Sequence, residues 1–173
     1  MLVIRTIIFT VLVPFNAVFL IPYLLLILWN QKFDIGSLRF AGLILIIAGL
    51  IFFLMAVLKF LVEGRGTPAI FFTKRFRFLV GEEPDKMLSS GAYRYSRNPM
   101  YVSGVMIVLG EGIFFSSPVL LIYSALLFAW FHFIIVHLEE PHLKKKYGNK
   151  YQEYLLKVPR WLRIPFSKEK LEL

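Results

Sequence analysis

Apolar and polar positions fall in long blocks along this chain. Leu2–Leu28 is almost entirely apolar, interrupted by Arg5, Asn16, Pro14 and Pro22. A spanning helix takes about 20 apolar residues. The block exceeds that length and lacks a small-residue cleavage site, so it predicts a retained span and not a leader peptide. Pro14 and Pro22 predict kinks unless neighbours cover the carbonyls they free. Trp29–Ser37 is a short polar turn. Leu38–Val62 predicts the second span, in which Gly42 and Gly49 allow close helix approach and are equally explained by ordinary packing. Met100–Phe115 and Val119–Leu138 predict a third, short span and a fourth, joined by the tight turn Ser116-Ser117-Pro118. Beyond them, Leu143, Tyr147, Tyr151, Tyr154, Leu155 and Val158 recur at helical spacing, with lysines on the other side. Glu139–Val158 therefore reads as an amphipathic helix, stopped by Pro159. The predicted fold class is all-α: a polytopic membrane protein with about four transmembrane helices, a helical hairpin and a C-terminal amphipathic helix, in one domain over 1–173.

Composition sharpens this picture. Hydrophobic residues make up 58% of the chain, and the mean hydropathy is +0.68. Both are too high for a soluble domain of this size. Cysteine is absent, which excludes disulfides, a thiolate metal site and a cysteine nucleophile; no metal site is expected. The net charge of +9 sits on residues flanking the apolar blocks. That placement suits membrane lipid headgroups and argues against nucleic acid as a partner. Glu63–Asn98 holds seven Lys/Arg against four Asp/Glu, and nine Lys/Arg follow Glu139. Both segments are expected on the cytoplasmic face, with the N-terminus on the same side.

The chemistry gathers at the edges of these blocks. Gly91–Gly104 packs Arg94, Arg97, Tyr93, Tyr95, Tyr101 and an Asn98-Pro99 pair into a few positions. Arg97 can fork onto a carboxylate or phosphate, and the tyrosines offer ring faces to a cation. Pro99 suits a first helical turn, so a helix is expected to begin there. Gly64-Arg65-Gly66-Thr67-Pro68 lacks the spacing of a P-loop or dinucleotide fingerprint. Ala69–Val80 interleaves Phe71, Phe72, Phe76 and Phe78 with Lys74, Arg75 and Arg77, a pattern for a segment lying among headgroups. Glu111 is either a functional group within a span or a side chain snorkelling to the far surface. His132 and His137 lie near the end of the fourth span. Each is either structural or in touch with substrate.

The order Gly-x-Tyr-Arg-x-x-Arg-Asn-Pro-x-Tyr, an apolar hairpin, Glu139-Glu140, Tyr147-Gly-x-x-Tyr-x-x-Tyr154 and Val158-Pro-Arg160 resembles the isoprenylcysteine carboxyl methyltransferase family and its phospholipid-methyltransferase relatives, in a small bacterial form. The resemblance spans about Gly64 to Trp161. It implies an integral membrane enzyme of the bacterial cytoplasmic membrane that uses S-adenosyl-L-methionine and faces the cytoplasm. The acceptor is a lipophilic carboxylate or amine. It also implies that Glu139 holds cofactor polar groups. Tyr93, Asn98, Pro99, Met100, Tyr101 and the preceding Asp85, Lys86, Met87 and Leu88 line the cofactor. Glu140, Tyr151, Tyr154 and Arg160 are further carry-overs, with Arg97, Glu140 and Arg160 the catalytic candidates. Arg97 is either a cofactor-carboxylate ligand or a clamp on Glu139. His132 and Ile135 are substrate-side candidates. Ile135 stands four residues before the first acid, where prenylcysteine enzymes place an arginine. That departure points to a small membrane-soluble acceptor instead of a prenylated protein tail. Two alternatives remain at this point: an NADPH-dependent membrane reductase using Arg65, Lys74 and Arg75, and a non-catalytic membrane scaffold.

Overall fold

The computed structural model describes residues 2–29, 32–64 and 86–162. Asp85, the Gly64–Pro68 loop beyond Gly64, Ala69–Val80 and the tail beyond Pro165 lie outside the described residues, so the readings placed on them are not developed. All regular structure among the described residues is helical.

The first helix, α1, joins Leu2–Thr10, a π-helical stretch Val11–Leu20 and Ile21–Leu28. The two prolines do not break it. In the π stretch the Ile21 N–H bonds the Asn16 carbonyl, which leaves the Ala17 carbonyl without its usual donor. Tyr123 of a neighbouring helix donates its hydroxyl to that carbonyl at 2.8 Å, and the Asn16 amide donates to the Leu12 carbonyl at 2.9 Å. The predicted kinks are thus absorbed by a change of helical register and two side-chain donors.

Helix α2 is Arg39–Lys59, continued by a π turn Phe60–Gly64, and α3 is Pro99–Phe114. They cross at backbone contact. A β-carbon on Gly42 would lie 2.4 Å from the Gly110 carbonyl oxygen, and one on Gly110 2.6 Å from the Gly42 oxygen. In a hydrocarbon solvent such contact supplies association that apolar burial cannot. Gly42, Gly49 and Ala56, spaced by heptads, form the buried stripe of α2, while the opposite face with Ile44, Ile51 and Leu58 is exposed, as lipid contact requires.

Helix α4 starts at Pro118, runs to Ile134, passes through a π turn Ile135–Glu139 and continues as Glu140–Tyr147. The predicted boundary at Leu138 is absent: the apolar span and the first half of the expected amphipathic helix are one rod of 30 residues. It ends at Gly148, whose φ of 57° needs a residue without a β-carbon. The amphipathic stretch resumes as α5, Asn149–Lys157. Three of the helices are long and apolar enough to cross a membrane, and Pro99–Phe114 is a shorter apolar helix. The Phe33 N–H donates to the Ser116 carbonyl at 3.0 Å. That bond places the α1–α2 and α3–α4 connections at one end of the bundle. The segment Gly91–Arg94 packs at the other end, where the Phe60 and Tyr93 rings meet edge-on at 5.7 Å.

Candidate functional site

Three segments far apart in sequence meet where α3 begins. Asn98 leaves the helical region (φ −130°) because Pro99 follows it, and the helix starts at the proline. The residues just before it are stitched to the last described segment. The Arg97 N–H donates to the Pro159 carbonyl at 3.0 Å. The Asn98 side-chain amide and the Ser96 hydroxyl both donate to the Arg160 carbonyl, at 2.9 and 3.3 Å. Ser96 is fully buried and its oxygen also accepts the Asn98 N–H at 3.0 Å. Ser96 was not singled out in the sequence. A serine two residues before an Asn-Pro is the turn-forming pattern that marks it.

The paired acids separate in role. Glu140 accepts from Arg97 Nη1 at 3.0 Å, from Arg160 Nε at 2.7 Å and from Arg160 Nη2 at 3.1 Å. Arg97 therefore clamps Glu140, not Glu139 as one reading had it. The Glu140 carboxylate holds the Arg160 guanidinium above its usual pKa. Arg97 Nε is buried without a partner among the described residues. Glu139 is buried and accepts a short hydrogen bond from the Tyr101 hydroxyl. Tyr154 donates to the Tyr93 carbonyl at 2.6 Å, and Tyr151 and Tyr154 pack with Val158, Met87 and Leu143. Burial pushes the Tyr151 phenol up to about 12 and raises Tyr93 and Tyr154 as well, so all three are neutral hydrogen-bonding groups.

Part of this cluster faces one cavity of about 1110 Å³. Its polar end is formed by Lys86, Tyr93, Arg97, Asn98, Tyr101, Glu139 and the tyrosines 147, 151 and 154. Met87, Leu88, Pro99 and Met100 complete that end. The rest is apolar and runs between α1, α3 and α4, past Val18, Ile107, Leu127 and Phe131. Every proposed cofactor residue among the described residues contributes to its wall. Glu140 and Arg160 stand behind the wall and brace it. His132 and Ile135 do not reach it. His132 accepts the Trp161 indole N–H at 3.3 Å and stacks beside that ring and Phe128. Ile135 is fully buried. The Glu140 N–H bonds back to the Ile135 carbonyl five residues away, in the π turn that carries Glu139. Glu111 is buried near the opposite end of the bundle, with one carboxyl oxygen unpartnered among the described residues. It does not snorkel to the surface. His137 is exposed and packs on Phe133. No group of three or more potential metal ligands occurs among the described residues.

An apolar cavity that ends in a carboxylate, a guanidinium and several phenols accommodates a ligand carrying both charges beside a hydrophobic one. Residues 37–150 match the family model of phospholipid methyltransferase. Fold and match together define an integral membrane methyltransferase. The chain belongs to the phospholipid methyltransferase family, part of the isoprenylcysteine carboxyl methyltransferase-like group. The reductase and scaffold alternatives give way to that membership. Neither a curated protein nor a solved structure matches the chain significantly.

Proposed function

We propose that the protein transfers a methyl group from S-adenosyl-L-methionine to a lipophilic acceptor at the cytoplasmic face of a bacterial inner membrane. The observation that carries this reading is one shared cavity, in which the charged and aromatic groups of the motif cluster adjoin an apolar slot between the long apolar helices. Glu139, held by Tyr101, would take the cofactor's ammonium or sulfonium. Arg97, which lines the polar end of the cavity, would take the carboxylate. The ring faces of Tyr93 and Tyr101 suit a sulfonium, and Lys86, Met87 and Leu88 would border the adenosine.

When bound, the cofactor supplies an electrophilic methyl group that passes in line to the acceptor and leaves a neutral thioether. The chain's contribution is alignment and exclusion of water. Arg160 and Arg97 fix Glu140 and with it the turn that carries Glu139. The apolar walls of α1, α3 and α4 keep the transfer dry. Imidazole is absent from the cavity wall among the described residues. The reading therefore favours an acceptor that needs no histidine base: a carboxylate, already ionised, or an amine in its neutral form. The acceptor's body is apolar, a lipid or a small membrane-soluble molecule.

The test begins with calorimetric titration of the purified protein with S-adenosylhomocysteine. Radiolabelled S-adenosylmethionine is then supplied with total membrane lipid extract or with farnesylcysteine analogues. Binding followed by label in the lipid fraction supports the proposal. Binding of NADPH without S-adenosylhomocysteine refutes it, and efficient labelling of farnesylcysteine alone refutes the lipid acceptor.

A further inference from the structure

The family match begins at residue 37, so α1 lies outside it. Yet α1 forms a full wall of the cavity. Thr10, Val13, Pro14, Ala17, Val18 and Ile21 line it at positions that recur every three or four residues, and all six are compact; Phe15 and Phe19 add two rings to the same wall. The opposite wall, on α4, carries Tyr123, Leu127, Trp130 and Phe131. The slot between them extends at most about 16 Å along α1, from the rise of a helix. The wall is fixed in place: Tyr123 donates to Ala17, and Val18 packs with Ile107, Val108 and Leu127. The cofactor candidates all come from other segments, the stretch from Lys86 to Tyr101 and the turn at Glu139.

We infer that α1 is the acceptor-selecting element. The acceptor's apolar body lies along its inward stripe, with the reactive end toward Tyr101 and Glu139. The matched part of the chain, with Tyr151 and Tyr154 just beyond it, supplies the polar end of the cavity, and α1 sets which hydrophobic shape is admitted. This inference rests on the proposed methyl transfer, and its test separates the two. Val13 is partly exposed while facing the cavity, so Val13→Phe narrows the slot with little repacking; Val18→Phe does so in the buried wall. Tyr23→Phe, on an exposed position of the same helix that does not face the cavity, serves as the control.

Two measurements decide it. Each variant receives total membrane lipid extract with labelled S-adenosylmethionine, and the products are resolved by acyl length and bulk. Each is also irradiated with a phospholipid carrying a diazirine in one acyl chain, with and without excess unlabelled extract. The expected result is a shift of on the order of tenfold in the ratio of bulky to slender products for Val13→Phe. S-adenosylhomocysteine affinity stays within twofold, and Tyr23→Phe behaves as the parent. Competable crosslinks should fall on Val13, Ala17 or Val18 and decline in Val13→Phe, whether or not turnover is seen. An unchanged product ratio in both phenylalanine variants with cofactor affinity intact overturns the inference. So do crosslinks on α1 that are confined to lipid-facing positions. Failure of the parent protein to bind S-adenosylhomocysteine would instead strike the proposed reaction and leave the crosslinking result to judge α1.

Discussion

Replacing Glu140 by alanine tests the brace behind the cavity. The change deletes three hydrogen bonds from two arginines at 3.0, 2.7 and 3.1 Å. The Arg97 side chain is 10% exposed and that of Arg160 31%. Arg97 would be left with Nη1 unpaired beside an Nε that already lacks a partner among the described residues. Breaking a buried pair from one side costs about 3–5 kcal/mol. Arg160 regains hydration, so the lower figure applies. At 2–4 °C per kcal/mol for a chain of this size, that is a fall in Tm of about 6–12 °C. The assay is thermal unfolding in detergent of Glu140→Ala, Arg160→Ala and the double variant. The single effects should not add, because either one dissolves the same clamp; a coupling of about 1–3 kcal/mol is expected. S-adenosylhomocysteine should bind more weakly to Glu140→Ala, since the turn carrying Glu139 loses its support. Additivity within about 0.5 kcal/mol, or an unchanged Tm, would refute the clamp.

Glu139→Ala should weaken S-adenosylhomocysteine binding by on the order of a hundredfold, as read by calorimetry, and Tyr101→Phe by less. Unchanged affinity in folded Glu139→Ala protein would remove that carboxylate from the cofactor site. Gly42→Leu should abolish folded protein in size-exclusion profiles, because its β-carbon would overlap α3 backbone; the same change at Gly36, which has no heavy atom within 4 Å of that position but a φ of +55°, should be far milder. Topology reporters at Asn30, Lys86, Ser117 and Leu173 should read outside, inside, outside and inside; a cytoplasmic signal at Ser117 would sink the shared face. Burial raises Tyr151 from 10.0 to about 12, so the fold keeps a proton that the unfolded chain loses. Stability should therefore hold below pH 10 and decline between about pH 10 and 12 in an unfolding series.

Much of the architecture is legible in the chain because hydrocarbon imposes simple demands. Long apolar blocks fixed the spans, and Gly42 and Gly49 announced the close α2–α3 crossing. The ordered motifs around one hairpin pointed to a common site, since each carries polar groups that a bare anchor does not need. What escaped first is helical register: a reading at constant period kinks α1 at its prolines, whereas a π stretch carries the helix past them. The role of α1 escaped for a different reason: valine and alanine facing a ligand are written the same way as valine and alanine facing a neighbour or a lipid. The choice of Glu140 as the partner of Arg97 depends on where Val158–Arg160 returns, a tertiary contact with no local mark.

The 16 residues of α3 reach only about 24 Å, against about 30 Å for the hydrocarbon of a typical bilayer. Its far end is tied to the α1–α2 turn through Ser116, so the shortfall falls at the near end, where Asn98, Pro99 and Tyr101 stand. In a bilayer of that thickness the polar end of the cavity would lie beneath the headgroups, or the membrane would thin to meet it. Either way, bilayer thickness would become a variable of the proposed reaction, with the acyl length of the host lipid setting how deep an acceptor must travel to reach the polar end.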